Sequence, residues 1–553
     1  MTRPYTPVSA PRGTDLACKS WPAEAALRML MNCHDPEIAV DPEQAIVHGA
    51  AGRAIRSWED FDATANALKE LEPDETLVVQ SGRPVAVFRT HLLAPRVVMA
   101  SAMLVPAWSS ADEFRGLRQR QLTISGDMTA GAWLFVGPQS GACTAWEALR
   151  AVAADKFGNT LKQRLMVSSG LGGLGAGQAP AANSLGATLL VAEVNAERVS
   201  KLAQKGLVHH SFGEVGAAID KACDLKGAGT AETVAFTGHA IDLLAALVER
   251  KITPDIVTDL TPAHDMQFGY IPRGMSFADA KARRAEDATA LEKQATESAA
   301  MHVKLILELQ AAGAVAFEFG NNLRAQAELG GLQNAFDLPG VTTAWLRQRF
   351  VGGRRPMLFV ALSGDDDDIQ NIDNILSETA GVNDPELAAW IASGATVRLQ
   401  RGLPARVAWL RAADHLRVAE AINKQVRDQG LNAPVLIARD QFDPGHAASP
   451  FRETETMPDG SDAVADWPIL GALLNSASGA TWVSISHGGG TGIGYSVHSA
   501  MAIVANGSPE ADQRLARVMA ADPGMGLVRF AEAGDPTALA TARDLGVKLP
   551  HQG

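Results

Sequence analysis

The chain has 553 residues, more than one hydrophobic core accommodates, so we expect about two to four domains. Hydrophobic residues make up 46% and charged residues 20%, a composition typical of a well-packed globular protein and not of a disordered one. With 62 acidic and 49 basic residues the formal net charge is −13, which gives no electrostatic footprint for nucleic acid or an anionic membrane.

The cysteines and the N-terminus favour a cytoplasmic location. Cys18, Cys33, Cys143 and Cys223 are widely spaced and form no CxxC pair, so we expect reduced thiols and neither a zinc site nor a disulfide framework. Residues 1–14 lack the apolar stretch of a signal peptide, and no uncharged apolar run reaches the ~20 residues that span a bilayer. We therefore expect a cytoplasmic protein without a membrane partner.

The first part of the chain, to about residue 135, predicts a mixture of helices and strands. Glu59–Leu71 has the spacing of an amphipathic helix. Leu77–Ser81 and Val85–Thr90 are short apolar runs typical of strands, and Gly and Pro residues separate them.

From about Leu161 short apolar runs alternate with helical stretches, which predicts a parallel sheet with helices on its faces. The predicted strands are Arg164–Ser169, Thr188–Val194, Thr233–Gly238 and Asp255–Leu260. One long alanine-rich helix is predicted over Phe277–Ala311, and after about Val351 the pattern is mixed again. The acidic run Asp365–Ile369 favours a solvated helix start over a metal site.

The sharpest local signal is the glycine motif GLGGLG, Gly170–Gly175, directly after a predicted strand. Small residues here let the backbone turn tightly and approach a pyrophosphate, as the dinucleotide-binding turn requires. Glu193 closes the next predicted strand 18 residues beyond Gly175, where a carboxylate accepts from ribose hydroxyls and repels the 2′-phosphate of NADP. The motif therefore favours NAD, and an ordinary glycine-rich turn is the alternative.

A second glycine-dense segment, Ser486–Gly494, follows an apolar strand near the C-terminus. Its backbone amides, not covered by side chains, could bind an anion or a flat ring, although a flexible loop explains the composition equally well. His487 and His498 are either acid–base groups or hydrogen-bonded loop residues.

A polar cluster occupies Ala438–Gly445 and Pro450–Glu455. Arg452 is a candidate for binding a substrate carboxylate, and Asp440 or Asp443 is a candidate general acid. Surface salt bridges are the alternative explanation of the cluster. The sequence has no nucleophile elbow, Walker loop or HExxH motif, so the residues alone lead to an NAD-binding enzyme whose reaction stays open.

Further distinctive sequence motifs are distributed along the chain. They are DETLVVQSGRPVAVFRTH (Asp74–His91), APRVVMA (Ala94–Ala100), MTAGAW (Met128–Trp133), VTDLTPAHD (Val257–Asp265), GYIPRG (Gly269–Gly274), GNNLR (Gly320–Arg324), NAFDLPG (Asn334–Gly340), ALSGD (Ala361–Asp365) and the long run Arg452–Met501. Read in order with GLGGLG, they resemble the urocanase family, the NAD-dependent hydratases of histidine catabolism, nearly from end to end.

The resemblance implies an α/β fold in which a Rossmann-like NAD-binding domain, residues 136–347, is inserted in a mixed α/β catalytic core formed by residues 1–135 and 348–553. It implies a homodimer that acts on a small molecule, with a tightly bound NAD⁺ that serves as an electrophile and not as a net hydride acceptor. The residues that it assigns to the cofactor are Gly49, Ala50, Asp127, Gly173, Leu174, Gly175, Glu193, Arg198, His239, Ala240, Leu260, Thr261, Pro262, Ala263, His264, Tyr270, Ile271, Phe319 and Gly490.

The chain departs from the family pattern at several positions of the expected catalytic site. Ala408 stands in place of a cysteine, Gln441 in place of a histidine and Phe319 in place of a tyrosine. Asp127 replaces a glutamine, and His48 a tyrosine. Because several of these changes make a site larger or less polar, we expect a ring-modified urocanate as substrate. S-methylthiourocanate from ergothioneine breakdown is the first choice, with thiourocanate, N-methylurocanate and ordinary urocanate as alternatives.

The resemblance also implies catalytic roles. Asp440 is the expected proton donor, Arg452 the carboxylate or network residue, and His264 a residue beside the cofactor. Two other classes stay open: an NAD-dependent dehydrogenase, which accumulates NADH, and a non-catalytic NAD-binding sensor, which leaves the acrylate chromophore of its ligand intact.

Overall fold

The computed structural model describes residues 5–125, 127–439 and 442–551, which form two β-sheets flanked by helices. The strands are β1 (Glu75–Gln80), β2 (Arg83–Arg89), β3 (Val97–Ser101), β4 (Leu165–Ser169), β5 (Thr188–Glu193), β6 (His210–Phe212), β7 (Thr233–Thr237), β8 (Ile256–Asp259), β9 (Val315–Glu318), β10 (Arg354–Ala361), β11 (Ala405–Arg411), β12 (Val435–Arg439), β13 (Ala447–Ala448), β14 (Trp482–His487) and β15 (Val497–Ala505).

The helices cover the faces of these sheets. They are α1 (Trp21–Cys33), α2 (Trp58–Glu70), α3 (Ala111–Gln119), α4 (Met128–Gly131), α5 (Gln139–Lys156), α6 (Gln178–Ser184), α7 (Ala196–Gln204), α8 (Val215–Ala228), α9 (Ala240–Glu249), α10 (Phe277–Glu286), α11 (Ala288–Ala311), α12 (Leu323–Leu329), α13 (Arg347–Val351), α14 (Asp366–Thr379), α15 (Pro385–Ala392), α16 (Ala412–Arg427), α17 (Asp466–Ser478), α18 (Pro509–Glu532) and α19 (Pro536–Asp544). Over the described ranges, no helix combines the length and apolar composition needed to cross a bilayer.

The longer sheet is mixed, and both ends of the chain contribute to it. Its order is β11-β10-β12-β15-β14-β3-β1-β2, and the short β13 pairs with β15. The N-terminal strands join the C-terminal ones where β3 runs parallel to β14, with Val97 opposite Trp482 and Ser101 opposite Ser486. Because β4–β9 lie between β3 and β10 in the chain, the second sheet is an insertion in the first.

The second sheet has the order β6-β7-β5-β4-β8-β9, and every neighbouring pair is parallel. The chain builds β5–β7 on one side of β4 and then returns to place β8 and β9 on the other side. This reversal leaves a crevice beyond the carboxyl ends of β4 and β8, where open α/β sheets bind ligands. The prediction of a Rossmann-like unit inserted in a mixed α/β core is confirmed.

The predicted elements agree with the structure except where a local cap intervenes. The four predicted strands of the insertion lie within one residue of β4, β5, β7 and β8. The single helix predicted over Phe277–Ala311 is wrong, because Asp287 has a φ of −154° and accepts from the Ala290 amide at 3.0 Å, which starts a new helix. The acidic run does begin a helix, since Asp365 caps α14 by accepting from the Asp367 amide at 3.0 Å.

Buried histidines make the stability of this fold depend on pH. Burial lowers the pKa of several rings below the value of about 6.5 expected in the unfolded chain. The pKa is about 4 for His34, His239 and His415, and about 3 for His302. Below about pH 6.5 the unfolded chain therefore binds more protons than the folded one. The stabilisation is present above that pH and is lost on acidification, by on the order of 1 kcal/mol per pH unit for each histidine.

We expect the urea midpoint of unfolding to fall between about pH 7 and about pH 5 for this reason. His34 packs with its ring centroid 5.4 Å from that of Trp58 and 5.6 Å from that of Phe61, so His34→Phe keeps an aromatic ring there without a titrating group. This variant should show a shallower dependence of the midpoint on pH. Parallel pH dependences in the two proteins would contradict the role given to His34.

Candidate active site

A cavity of about 910 Å³ lies beyond the carboxyl ends of β4 and β8, and residues of the mixed core close its other side. It brings together nearly all the residues expected at the cofactor. Those that line it are Gly49, Ala50, Asp127, Gly173, Leu174, Gly175, Glu193, Arg198, His239, Ala240, Leu260, Thr261, Pro262, His264, Tyr270, Ile271, Phe319 and Gly490. Ala263 does not line the cavity and is fully buried.

The glycines of the GLGGLG turn are required for different structural reasons. Gly170 has a φ of +83°, and a Cβ on it would lie 2.8 Å from the Leu260 carbonyl oxygen. A side chain on Gly175 would collide with the Gly170 carbonyl, whereas a Cβ on Gly172, which lines the cavity, would meet open space. The Gln178 amide donates to the carbonyls of Gly170 and Gly175, both at 3.2 Å, and so holds the turn in shape.

Glu193 ends β5 and is buried beside this turn. One of its oxygens accepts from the Leu171 amide at 2.8 Å, and the other accepts from the Asn195 amide at 2.9 Å and the Arg198 guanidinium at 3.0 Å. A carboxylate offers about four acceptor positions, so Glu193 keeps capacity for a ribose hydroxyl. Its position beside the glycine turn is the one that the sequence motif predicts.

The loop after β8 is tied to the end of β4 by Asp259. The Asp259 carboxylate hydrogen-bonds to the Ser169 hydroxyl and accepts from the Thr261 amide at 3.0 Å. Burial raises the pKa of Asp259 to about 6, while these hydrogen bonds oppose the rise. The contacts fix residues 260–262 at the point where the two strands end.

His239 is a structural residue of the cavity wall. Its Nε2–H donates to the Ile271 carbonyl at 2.8 Å, and its Nδ1 accepts from the Ile241 amide at 3.1 Å at the start of α9. Both ring nitrogens are engaged, and burial lowers the pKa to about 4, so the ring stays neutral at neutral pH.

Arg452 holds two glycine-rich segments together at the cavity. Its guanidinium donates to the carbonyls of Gly320 and Gly489, both at 3.2 Å, and its Nε donates to Glu453 at 2.7 Å. The side chain passes so close that a Cβ on Gly320 or Gly490 would collide with it. Because most of its donors are used inside the protein, Arg452 is a network residue that also lines the cavity.

Glu453 and His498 complete this buried network. His498 Nε2 lies 3.4 Å from both the Glu453 carboxylate and Arg452 Nη2. Burial acts to raise the pKa of Glu453, but the Arg452 and His498 groups outweigh burial and hold that pKa well below its usual range. The Glu453 carboxylate therefore stays ionised and fixes the guanidinium.

His487 anchors the glycine-dense segment. Its Nδ1–H donates to the Ala102 carbonyl at 2.9 Å, and its Nε2 accepts from the Gly494 amide at 2.9 Å. Of the two alternatives for His487, the hydrogen-bonded loop residue is therefore the correct one.

A second polar group on the cavity wall consists of His48, Asp127 and His264. His48 Nε2 lies 3.0 Å from the Asp127 carboxylate, and His264 Nε2 accepts from the Ala50 amide at 3.2 Å. A Cβ on Gly49 would lie 3.1 Å from His264 Nε2, so this segment approaches closely because it has no side chain there. Asp127 and His264 were expected at the cofactor. His48 had no assigned role, although its departure from the family tyrosine was the signal that marked it.

Asp443 lies in a buried ion pair. It is fully buried, and its carboxylate pairs with Arg355 at 2.8 Å. Burial acts to raise the pKa of Asp443, but Arg355 and the neighbouring cationic groups outweigh it and keep the pKa below its usual range. An ionised carboxylate in a buried ion pair is a poor proton donor, so the structure disfavours Asp443 as the general acid and leaves Asp440 as the candidate.

Ala408 also lies away from the cavity. It is fully buried in an apolar cluster with Met357 and Ile437 and is not a lining residue, so the expectation that its small side chain enlarges the site is corrected. The motif resemblance locates Ala408 in the sequence but does not show to which side of β11 its side chain points. Asp440 and Gln441, the other two expected catalytic positions, lie outside the described residues.

The chemistry available in the cavity is that of a dinucleotide site beside an acid–base site. Bare backbone at Gly172 and the carboxylate of Glu193 suit a pyrophosphate and a ribose. Arg452 and the His48–Asp127 pair also line the cavity and supply charged and acid–base groups. Within the ranges that the structure describes, no cluster of His, Cys, Asp or Glu side chains has a metal-binding arrangement.

Gly490→Ala tests the close approach of Arg452. Gly490 has a φ of +78°, and an alanine side chain would collide with Arg452 Nη1, whereas Gly460, with a φ of +73°, has open space at its Cβ position. Both variants carry a similar backbone strain of about 1–2 kcal/mol, so only Gly490→Ala displaces the guanidinium. We expect Gly490→Ala to weaken NAD binding by about tenfold or more and Gly460→Ala to bind like the parent, by calorimetry on NAD-free protein. Equal affinities in the two variants would show that Arg452 does not shape the cavity.

Three family profiles match the chain in order. They describe the urocanase N-terminal domain over residues 8–134, the urocanase Rossmann-like domain over residues 137–345 and the urocanase C-terminal domain over residues 348–544. The middle match contains the parallel sheet β4–β9, and the outer two contain the strands of the mixed sheet. Because the three matches together span nearly the whole chain, the chain belongs to the urocanase family.

Proposed function

We propose that the chain is a hydratase that adds water to an imidazole acrylate of the urocanate type while it holds NAD. Membership of the urocanase family supports a hydro-lyase of this class. The observation that carries the proposal is a single cavity, lined on one side by the GLGGLG turn and Glu193 and on the other by Arg452 and Gly490. Its volume of about 910 Å³ is at the upper end of the range for ligand pockets, as a site for two ring systems requires.

The residues of the Rossmann-like side fit NAD. Gly172 leaves room for a pyrophosphate, Glu193 has acceptor capacity for a ribose, and residues 260–262 are fixed at the strand ends. Bound NAD supplies an electrophilic nicotinamide ring that draws electron density from the substrate ring and is recovered unchanged after each turnover. The carboxylate of Glu193 disfavours a 2′-phosphate, so we propose NAD and not NADP.

The core residues orient the substrate and move protons. Arg452 and the buried Glu453 hold the glycine-dense segment at the cavity, and Arg452 adds positive charge on the side where a carboxylate would bind. We propose Asp440 as the proton donor to the substrate side chain. His264 keeps its Nε2 on the Ala50 amide and acts beside the cofactor as a positioning residue.

We propose a ring-modified urocanate as the substrate, with the S-methylthio compound first and thiourocanate and N-methylurocanate next. Support comes from the apolar surface beside Arg452, where Met128 Sδ is 3.5 Å from Nη2 and the Phe442 ring is 5.9 Å from Cζ. Phe319 adds a ring without the hydroxyl of the family tyrosine. Thioethers make favourable contacts with aromatic rings, which suits a methylthio group. The product would be of the imidazolone-propionate type, and ordinary urocanate is the alternative substrate.

We also propose a cytoplasmic homodimer, as the resemblance implies. Helix α17 carries an exposed apolar face that a second copy would cover, formed by Ile469, Leu470, Leu473 and Leu474. Light scattering of the purified chain tests the dimer, and a monomer at micromolar concentration would exclude it.

An ultraviolet assay against urocanate, thiourocanate, S-methylthiourocanate and the N-methylurocanates tests the proposed reaction. We expect the conjugated absorption of S-methylthiourocanate to disappear, with a kcat/KM at least about tenfold above that of urocanate, because one extra apolar group in a fitted pocket has that effect. No NADH should accumulate.

Each other outcome of this assay selects a different function. Preferential turnover of urocanate would assign the ordinary reaction of histidine breakdown. NADH formed in step with substrate loss would indicate a dehydrogenase, and ligand binding without loss of the chromophore would indicate a sensor.

A further inference from the structure

His48 lies at the cavity wall with one ring nitrogen hydrogen-bonded inside the protein and the other free. Its ring stacks on Phe135, with centroids 4.2 Å apart and planes 9° apart. Its Nε2 lies 2.8 Å from the Thr129 hydroxyl and 3.0 Å from the Asp127 carboxylate. Thr129 donates its own proton to Asp127 at 3.1 Å, so both neighbours accept from His48 and the ring proton resides on Nε2.

The other ring nitrogen of His48 is left with a free lone pair. Within the described part of the chain, Nδ1 has no hydrogen-bond partner, and the ring lines the cavity with its side chain 11% exposed. A Cβ on Gly173 would lie 4.0 Å from Nδ1, so the nitrogen lies directly beside the glycine turn. A neutral imidazole in this state accepts a proton from a molecule in the cavity.

The Asp127 carboxylate is ionised and lies directly against the His48 ring. Burial acts to raise the pKa of Asp127, but His48, the Ala130 amide and His264 outweigh it and hold the pKa at about 2. The ionised carboxylate orients the imidazole and stabilises the imidazolium that forms. Asp127 also caps α4 by accepting from the Ala130 amide at 2.9 Å, which fixes its own position.

Two other histidines of the cavity wall lack this property. The unprotonated ring nitrogen of His239 accepts a hydrogen bond from the Ile241 amide, and that of His264 accepts one from the Ala50 amide. Burial lowers the pKa of both rings, so they stay neutral. The lone pair of His48 Nδ1 is therefore open to the cavity, whereas theirs are engaged.

We propose that His48, oriented by Asp127, is the general base that removes a proton from the attacking water. This inference rests on the proposed hydration. One O–H bond of water breaks, its proton goes to His48 Nδ1, and the oxygen forms a bond to a ring carbon of the substrate. The electron pair of the conjugated system moves to the side chain, whose carbon takes a proton from the acid, proposed as Asp440. Both groups then exchange protons with solvent, so the net change is the addition of one water.

The test uses four variants of the NAD-loaded protein with the preferred substrate of the ultraviolet assay. His48→Gln keeps a donor to Asp127 but has no base, and His48→Ala leaves a hole that imidazole from the buffer can enter. His48→Phe keeps the stack on Phe135 and fills that hole. His91→Ala changes an exposed histidine remote from the cavity and is the control.

We expect kcat to fall by about 10²- to 10⁴-fold in the three His48 variants, with KM and NAD content within about threefold of the parent. Imidazole should raise kcat of His48→Ala by at least about tenfold and leave His48→Phe and His91→Ala unchanged, which a purely structural histidine would not produce. Asp127→Asn added to His48→Ala should reduce the rescue.

Two results would overturn the assignment. One is a kcat of His48→Gln within about threefold of the parent. The other is a folded, NAD-loaded His48→Ala that imidazole does not rescue. Failure of the parent protein to hydrate any urocanate would instead refute the proposed function itself, so the two failures are distinguishable.

Discussion

The parallel pairing of β3 with β14 is the constraint on which the rest of the structure depends. It unites the two ends of a 553-residue chain in one sheet and leaves residues between them to form a second sheet with its own core. The cavity exists because this pairing turns the N-terminal residues around His48 and the C-terminal residues around Arg452 toward the carboxyl ends of β4 and β8. Neither unit alone surrounds the cavity.

Close backbone approach then determines what the cavity contains. Gly320 and Gly490 let the Arg452 side chain pass between them, and Gly170 and Gly175 let the turn after β4 fold on itself. A buried guanidinium costs several kcal/mol of desolvation unless its donors are satisfied, and Arg452 meets this condition through two carbonyls and Glu453. The same packing that satisfies Arg452 therefore fixes the glycine-dense segment at the site.

The sequence predicted the features that local chemistry determines. The strands of the insertion, the turn at Gly170 and the carboxylate at Glu193 all follow from short patterns with a physical cause, and they lie where those patterns predict. Features that depend on tertiary pairing were missed. The burial of Asp443 against Arg355 and the direction of Ala408 depend on how β10–β12 pair, and the contact of His48 with Asp127 joins positions 79 residues apart. The break at Asp287 lay in the sequence, but a helical pattern on both sides concealed it.

The central claim is that NAD held in this cavity takes part in hydration without net reduction. The most direct measurement releases the dinucleotide from purified protein by denaturation, quantifies it, and compares it with the turnover of the same preparations without added cofactor. Activity should rise in proportion to the NAD bound per chain, and the released cofactor should be oxidised before and after turnover. Full activity in a preparation with no bound dinucleotide, or recovery of the cofactor as NADH, would contradict the account.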